Sequence, residues 1–257
     1  MSQTSLETLL QQVIPIVRAA GDSIMKIYAG DIKVRNKDDS SPVTEADECA
    51  EAVILPALQA LDKSIAIVSE EQASAGYIPE VGQRFWLVDP LDGTKEFINR
   101  NGEFTVNVAL IEDGVPVLGV VLAPALDRLF AGARGLGAFV ESAGERRSIS
   151  CRSVPAAGLT VVASRSHGDA SALEAFLEGH KVASQASAGS SLKLCLVAAG
   201  EADVYPRLGR TMEWDIAAGD AVLRAAGGRL VTLDEHSMAY GKTDFANPHF
   251  AAWGLAS

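Results

Sequence analysis

The chain has 257 residues, of which 48% are apolar and 21% charged, and a formal net charge of −11. That length holds one large domain or two modest ones, and the acidic balance excludes nucleic acid and anionic membrane as partners held by bulk electrostatics. Three scattered cysteines (Cys49, Cys151, Cys195) and four histidines without zinc-ligand spacing argue against a disulfide frame and a zinc site, and point to free thiols in a reducing compartment.

Leu6, Leu9, Leu10, Val13, Ile16, Val17, Ala20 and Ile24 recur at three- and four-residue steps, the stripe of an amphipathic helix. Pro15 falls inside it and predicts a kink or a break. Glu7, Arg18, Asp22 and Lys26 interrupt the apolar positions, so this stretch reads neither as a signal peptide nor as a membrane span, and the cytoplasm is the expected location. A second helix is predicted over 45–61, with Thr44 as its N-cap. Ile65–Val68 is a short strand-like run that stops at Ser69-Glu70-Glu71.

A stronger strand signal, Phe85–Val88, ends in Asp89 and Asp92, with Pro90 between them and Gly93 after. Proline fixes φ at about −65° and glycine permits conformations closed to other residues, so the strand exit is expected to be rigid and sharply bent. The two carboxylates and the Leu91 carbonyl form an oxygen-rich concavity suited to a hard cation such as Mg²⁺. An ordinary acidic turn explains the same residues.

Residues 104–111 and 115–122 flank Glu112-Asp113-Gly114, a β-hairpin signal, and further strands near 128–132 and 137–141 extend it into an antiparallel meander. The polar stretch 142–158 is the candidate boundary between an N-terminal unit, 1–150, and a C-terminal unit, 151–257. Past it, strand-like 159–164 alternates with helical 170–178 and 190–199, which predicts an α/β unit. Ser190 can cap the helix over 190–199. Lys193 then lies in the first turn against the helix dipole, either as a solvated lysine or as one that faces an anion. Asp215 precedes a helical run over 216–226 that closes at Gly227-Gly228, where it serves as an N-cap or as a cation ligand.

WLVDPLDGT (86–94), SEE (69–71), PVTEAD (42–47) and Trp214-Asp215 before a glycine-terminated helix resemble the lithium-sensitive, magnesium-dependent phosphatase superfamily of inositol monophosphatases, fructose bisphosphatases and bisphosphate nucleotidases. DPLDGTKEF (89–97), RNGEFTVNVALI (100–111) and GSSLKLCLVAAGEADVYPR (189–207) are similar to its bacterial CysQ-type 3′(2′),5′-bisphosphate nucleotidase branch.

The resemblance implies an α/β (α+β) fold layered α/β/α/β/α, an N-terminal antiparallel sheet with helices meeting a C-terminal α/β unit. It implies that Glu70, Asp89 and the Leu91 carbonyl hold one Mg²⁺ and that Asp89, Asp92 and Asp215 hold a second, with a third, weaker ion at Asp47 and Thr94. Asp47, Glu70 and Thr94 would carry the catalysis, Asp47 and Thr94 by orienting and deprotonating the attacking water. Glu70, Leu91, Asp92 and Asp215 would line the substrate site, the backbone N–H groups of Gly93 and Thr94 would receive the scissile phosphate, and Ser190, Lys193 and Arg207 would hold the nucleotide end, including the phosphate that is kept, with His167 as a further nucleotide contact. His167 reads equally as a surface loop residue. The implied reaction converts adenosine 3′,5′-bisphosphate, a by-product of sulfate assimilation, to AMP and phosphate. A phosphatase of inositol phosphates or another small phosphate monoester is one alternative, and a non-hydrolysing metal or nucleotide sensor is another. The sequence leaves monomer and homodimer open, and the resemblance adds peripheral attachment at the inner face of the bacterial inner membrane as a second location.

Overall fold

The computed structural model describes residues 4–32, 34–36, 42–164 and 170–255. The N-terminal apolar stripe forms helix α1 (Leu6–Tyr28), capped by the Ser5 hydroxyl, which accepts the Thr8 amide at 3.2 Å. The helix runs unbroken through Pro15, where the sequence predicts a kink or a break. Pro15 is exposed, and so is Gln11, whose carbonyl loses its helical donor on the side open to water. Strands β1 (Val34–Asn36) and β2 (Pro42–Thr44) pair antiparallel and lead into α2 (Glu45–Leu61). Thr44 is its N-cap, as expected: its hydroxyl accepts the Ala46 amide at 3.2 Å, and Asp47 reaches back to the Thr44 amide at 2.8 Å.

Seven strands follow in one sheet: β3 (Ala66–Ser69), β4 (Arg84–Asp92), β5 (Thr105–Glu112), β6 (Val115–Ala123), β7 (Arg128–Ala133), β8 (Gly137–Ser142) and β9 (Glu145–Ile149). Each is the neighbour of the next, and only β3 and β4 run parallel. Short helices α3 (Glu70–Ser74) and α4 (Thr94–Ile98) leave the ends of β3 and β4. The predicted hairpin turns at Asp113 and Gly114, with φ of 51° and 74°, the backbone a two-residue hairpin needs. β9 lies inside 142–158, the polar stretch the sequence reads as a candidate domain boundary; all of it except Ile149 is exposed, so it lacks the apolar alternation of a half-buried strand.

The remaining elements are β10 (Leu159–Ser164), α5 (Ala170–Leu177), β11 (Val182–Ala188), α6 (Leu192–Ala198), β12 (Val204–Arg207), α7 (Glu213–Ala225), β13 (Arg229–Thr232) and β14 (Phe250–Trp253). The five strands order as β11-β10-β12-β14-β13, with β10, β11 and β12 parallel and β14 antiparallel to both its neighbours.

Strands β4 to β6 are buried on both faces, so alternate positions feed two cores. Trp86, Val88, Val108 and Leu110 pack with α1 and α2. Phe85, Leu87, Ala109 and Ile111 join Leu194, Ile216, Val222, Leu230 and Phe250, so α6 and α7 are the filling between the two sheets. On the far side Phe176 and Leu177 of α5 pack against Leu159, Val161 and Val204. The layers are therefore α1–α2, the seven-stranded sheet, α6–α7, the five-stranded sheet and α5, the α/β/α/β/α sandwich expected. A Cβ at Gly119 of β6 would collide with the Ala218 carbonyl oxygen, so glycine lets α7 lie flush on the sheet. Among the described residues no helix is long and apolar enough to cross a membrane, and Cys49, Cys151 and Cys195 are free.

Candidate active site

The carboxylates converge where β3 and β4 end. The two strands pair parallel with Ser69 opposite Val88, so the residues that follow, Glu70 and Asp89, lie side by side. β4 does not stop at Asp89. Asp89 pairs with Asn107 and Asp92 with Thr105, three steps on one strand against two on the other, and this bulge is the form the expected bend takes. Asp89 is 1% exposed and one of its oxygens accepts the Leu91 amide at 3.1 Å. Gly93 then turns into α4 with φ 93°, and Thr94 opens that helix.

Asp47 stands behind Thr94. Its Oδ1 accepts the Thr94 hydroxyl at 3.3 Å, and its Oδ2 accepts the Thr44 amide and the Thr44 hydroxyl, each at 2.8 Å. Asp215 arrives from the other side of the cleft on α7. That helix begins at Glu213, earlier than the sequence reading, so Asp215 is its third residue and not a residue ahead of it. Its Oδ2 accepts the Met212 amide at 2.8 Å. Glu70, Asp89 and Asp215 each offer an oxygen, and the three atoms lie within 4.8 Å of one another.

Charge at such spacing is costly once water is removed. Burial pushes the Asp89 carboxyl well above the ordinary carboxylate range, and the charges of Glu70, Asp92 and Asp215 add to it. Asp215 is raised in the same way, by burial and then by Asp92 and Glu70. Burial pushes Asp92 up to about 6, although Lys193 and the Ser191 amide pull the other way. Buried, mutually repelling, all-oxygen donors fit a hard divalent cation, whose charge removes the repulsion.

The opposite wall is the segment before α6. The Ser191 amide donates to Asp92 Oδ2 at 2.6 Å, and the Ser191 hydroxyl donates to Asn107 Oδ1 at 2.7 Å, within 2.9 Å of the Thr105 hydroxyl. The Gly189 amide donates to Glu103 at 2.9 Å. Ser191, not Ser190, holds the N-cap position; Ser190 has φ 48°, and the Leu192 amide is 3.4 Å from its hydroxyl. Lys193 is 3% exposed, and its Nζ donates to the carbonyls of Ser190 at 2.6 Å and Ala188 at 3.2 Å. Burial pulls its pKa down to about 8, against the opposing pull of Asp92. Arg207 ends β12 and donates from Nη2 to the Arg210 carbonyl at 2.9 Å.

One cleft of 730 Å³ is lined by Glu70, Asp89, Leu91, Asp92, Gly93, Thr94, Ser190, Lys193, Arg207 and Asp215. Asp47 touches it through Thr94. His167 lies outside the described residues. Ser191, Tyr205 and Arg210 are among the lining residues that sequence reasoning missed. Tyr205 was within reach, since it stands two positions before Arg207 on a strand and so shares its face; burial pushes its hydroxyl up while Arg207 opposes.

A model described as the inositol monophosphatase family matches residues 5–256 of the chain. Over 245 residues the chain is 47% identical to the 3′(2′),5′-bisphosphate nucleotidase CysQ of Salmonella typhimurium (strain LT2), covering 94% of this chain and 98% of that one. Identity to the protein of the same name from Escherichia coli (strain K12) is 46%, over the same shares. Among solved structures, CysQ from Bacteroides thetaiotaomicron superimposes with a TM-score of 0.80 at 35% identity, covering 96% of this chain and 97% of that one.

Proposed function

The chain belongs to the inositol monophosphatase family, and within it we propose that it is a magnesium-dependent 3′(2′),5′-bisphosphate nucleotidase that converts adenosine 3′,5′-bisphosphate to AMP and phosphate. The observation that carries this reading is near-full-length identity of 46–47% to nucleotidases of that name. The site agrees with it, because a carboxylate trio centred on the buried Asp89 and a wall bearing Lys193 and Arg207 share one cleft.

Glu70, Asp89 and the Leu91 carbonyl would hold one Mg²⁺, and Asp89, Asp92 and Asp215 a second, with Asp47 and Thr94 available to a third. When bound, the ions neutralise the phosphate dianion, lower the pKa of a coordinated water and stabilise the leaving alkoxide. The residues of the chain do the rest. The Thr94 hydroxyl donates its hydrogen bond to Asp47, so its oxygen can accept one proton from the attacking water as it passes its own to the carboxylate. Two hydrogen bonds from Thr44 on the other Asp47 oxygen fix the orientation of that carboxylate. Backbone N–H groups of Gly93 and Thr94 receive the scissile phosphate, and Ser190, Lys193, Arg207 and His167 hold the nucleotide end.

Phosphate release from adenosine 3′,5′-bisphosphate and inositol 1-phosphate, measured side by side in Mg²⁺, tests the reading. A large preference for the nucleotide is expected. A preference for inositol phosphate would overturn the substrate assignment, and no release from either would overturn the enzyme.

A further inference from the structure

The cations on the cleft wall are not equally available. Lys193 is buried and has two of its three ammonium protons committed to the carbonyls of Ser190 and Ala188. Arg207 folds back on its own chain through Nη2, and its Nε is buried without a partner. Arg210 lines the same cleft and is exposed. Among the described residues no hydrogen bond or ion pair reaches its guanidinium; only its backbone carbonyl is engaged. The neighbouring acid on the cleft, Asp244, turns one oxygen to the Ala246 amide at 3.1 Å and makes no ion pair with it.

The backbone under Arg210 is fixed on both sides. Arg207 Nη2 holds its carbonyl, the Asn247 amide donates to the Thr211 carbonyl at 2.9 Å, and Met212 bridges to Ala246. A held backbone confines the order lost on binding to the side chain itself, which is free to close on a ligand. A guanidinium also grips a phosphate with two parallel N–H bonds, which an ammonium cannot match.

The geometry points to Arg210 as the residue that selects for the second, retained phosphate of the substrate, by closing a forked contact on it from the β12–α7 connection. This rests on the nucleotidase reading. In the resting cleft, Lys193 and Arg207 shape the wall: Lys193 pins the 188–193 segment beside Asp92, and Arg207 holds the turn from which Arg210 reaches.

The test uses wild type, Arg210→Ala and Arg210→Lys, with kcat/KM measured in Mg²⁺ on adenosine 3′,5′-bisphosphate and on adenosine 3′-monophosphate, which lacks the retained phosphate. A charged hydrogen-bond pair of this kind is worth roughly 10- to 100-fold. The bisphosphate-to-monophosphate ratio of Arg210→Ala is expected to fall by that factor, mostly through KM, and Arg210→Lys is expected to recover part of it. Calorimetric binding of AMP, which needs no turnover, is expected to weaken in parallel. A ratio that survives Arg210→Ala, or losses equal on both substrates, overturns the role of Arg210 while leaving the nucleotidase standing. A wild type that releases no phosphate from the bisphosphate overturns both.

Discussion

Asp47 and Asp215 occupy the same place in two different helices. Each is the third residue of its helix, and each has one oxygen tied at 2.8 Å to the amide of the residue ahead of that helix, Thr44 or Met212. Helix capping and site chemistry are therefore not competing explanations of these acids. One oxygen serves the helix and fixes the rotamer, and the other is turned to the site, on the cleft wall in Asp215 and behind the Thr94 hydroxyl in Asp47.

That division sets the outcome of Asp215→Asn. The amide oxygen can still accept from Met212, so α7 keeps its start, but the negative charge is gone. Phosphate release is expected to fall by roughly 100-fold or more, as for loss of a group that stabilises the transition state electrostatically. The metal-free protein is expected to melt no lower than wild type, because a repelling buried charge has been removed. A lower metal-free melting temperature would show that the carboxylate serves mainly to hold the helix.

Thr94→Val removes the hydroxyl that links the water to Asp47 and keeps the volume. A loss of roughly 100- to 10,000-fold in kcat is expected, the range for a positioned proton-transfer group. Thr94→Ser is expected to restore most of the rate. Equal losses in Val and Ser variants would remove the hydroxyl from the mechanism.

Stability of the metal-free protein is expected to depend on pH in an unusual sense. Asp92 titrates at about 6 in the fold against 3.8 as its ordinary value, and Asp89 and Asp215 are shifted in the same direction. A raised carboxyl favours the fold while protonated, so this contribution is fully present below 3.8 and lost as pH rises through about 6. For Asp92 alone it amounts to about 3 kcal/mol. Melting in EDTA is expected to be higher near pH 5 than near pH 7.5, with Mg²⁺ abolishing the difference. A flat metal-free profile would contradict the repulsion described here.

Gly189→Ala tests how the two walls are joined. A Cβ there would lie 2.6 Å from Glu96 Cγ and 2.7 Å from the Glu103 carbonyl oxygen, too close for either. The segment carrying Ser190 and Lys193 must shift, at roughly 1–3 kcal/mol of stability. A raised KM for the bisphosphate is expected with kcat less affected; unchanged kinetics would detach this segment from substrate binding.

The elements that govern the acids were legible where the signal is local. The Thr44 cap and the Asp113-Gly114 hairpin each follow from a few consecutive residues, and so does the placement of Glu70 and Asp89 each at a strand end, although that the two strands are neighbours does not. Features decided by distant partners were not. The unbroken passage through Pro15 depends on which side of α1 meets water, and the exposed β9 shows too little apolar pattern to be read. At the N-cap position Ser191 gives its hydroxyl proton to Asn107 and lies within hydrogen-bond reach of the Thr105 hydroxyl, both more than eighty positions earlier. Arg210 was missed for a similar reason, since nothing next to it in sequence says that the neighbouring arginine folds back onto its carbonyl.

Asp215 rides on the helix that fills the space between the two sheets, while Glu70 and Asp89 stand on the first sheet alone. The trio therefore comes into existence only when α7 has docked on the seven-stranded sheet. A nascent chain cannot mature its catalytic centre ahead of its architecture, and occupancy by a cation becomes a certificate that assembly is finished. Chelation should accordingly be felt through the whole cooperative unit, as a lower melting temperature of the sandwich and not as a change confined to the cleft.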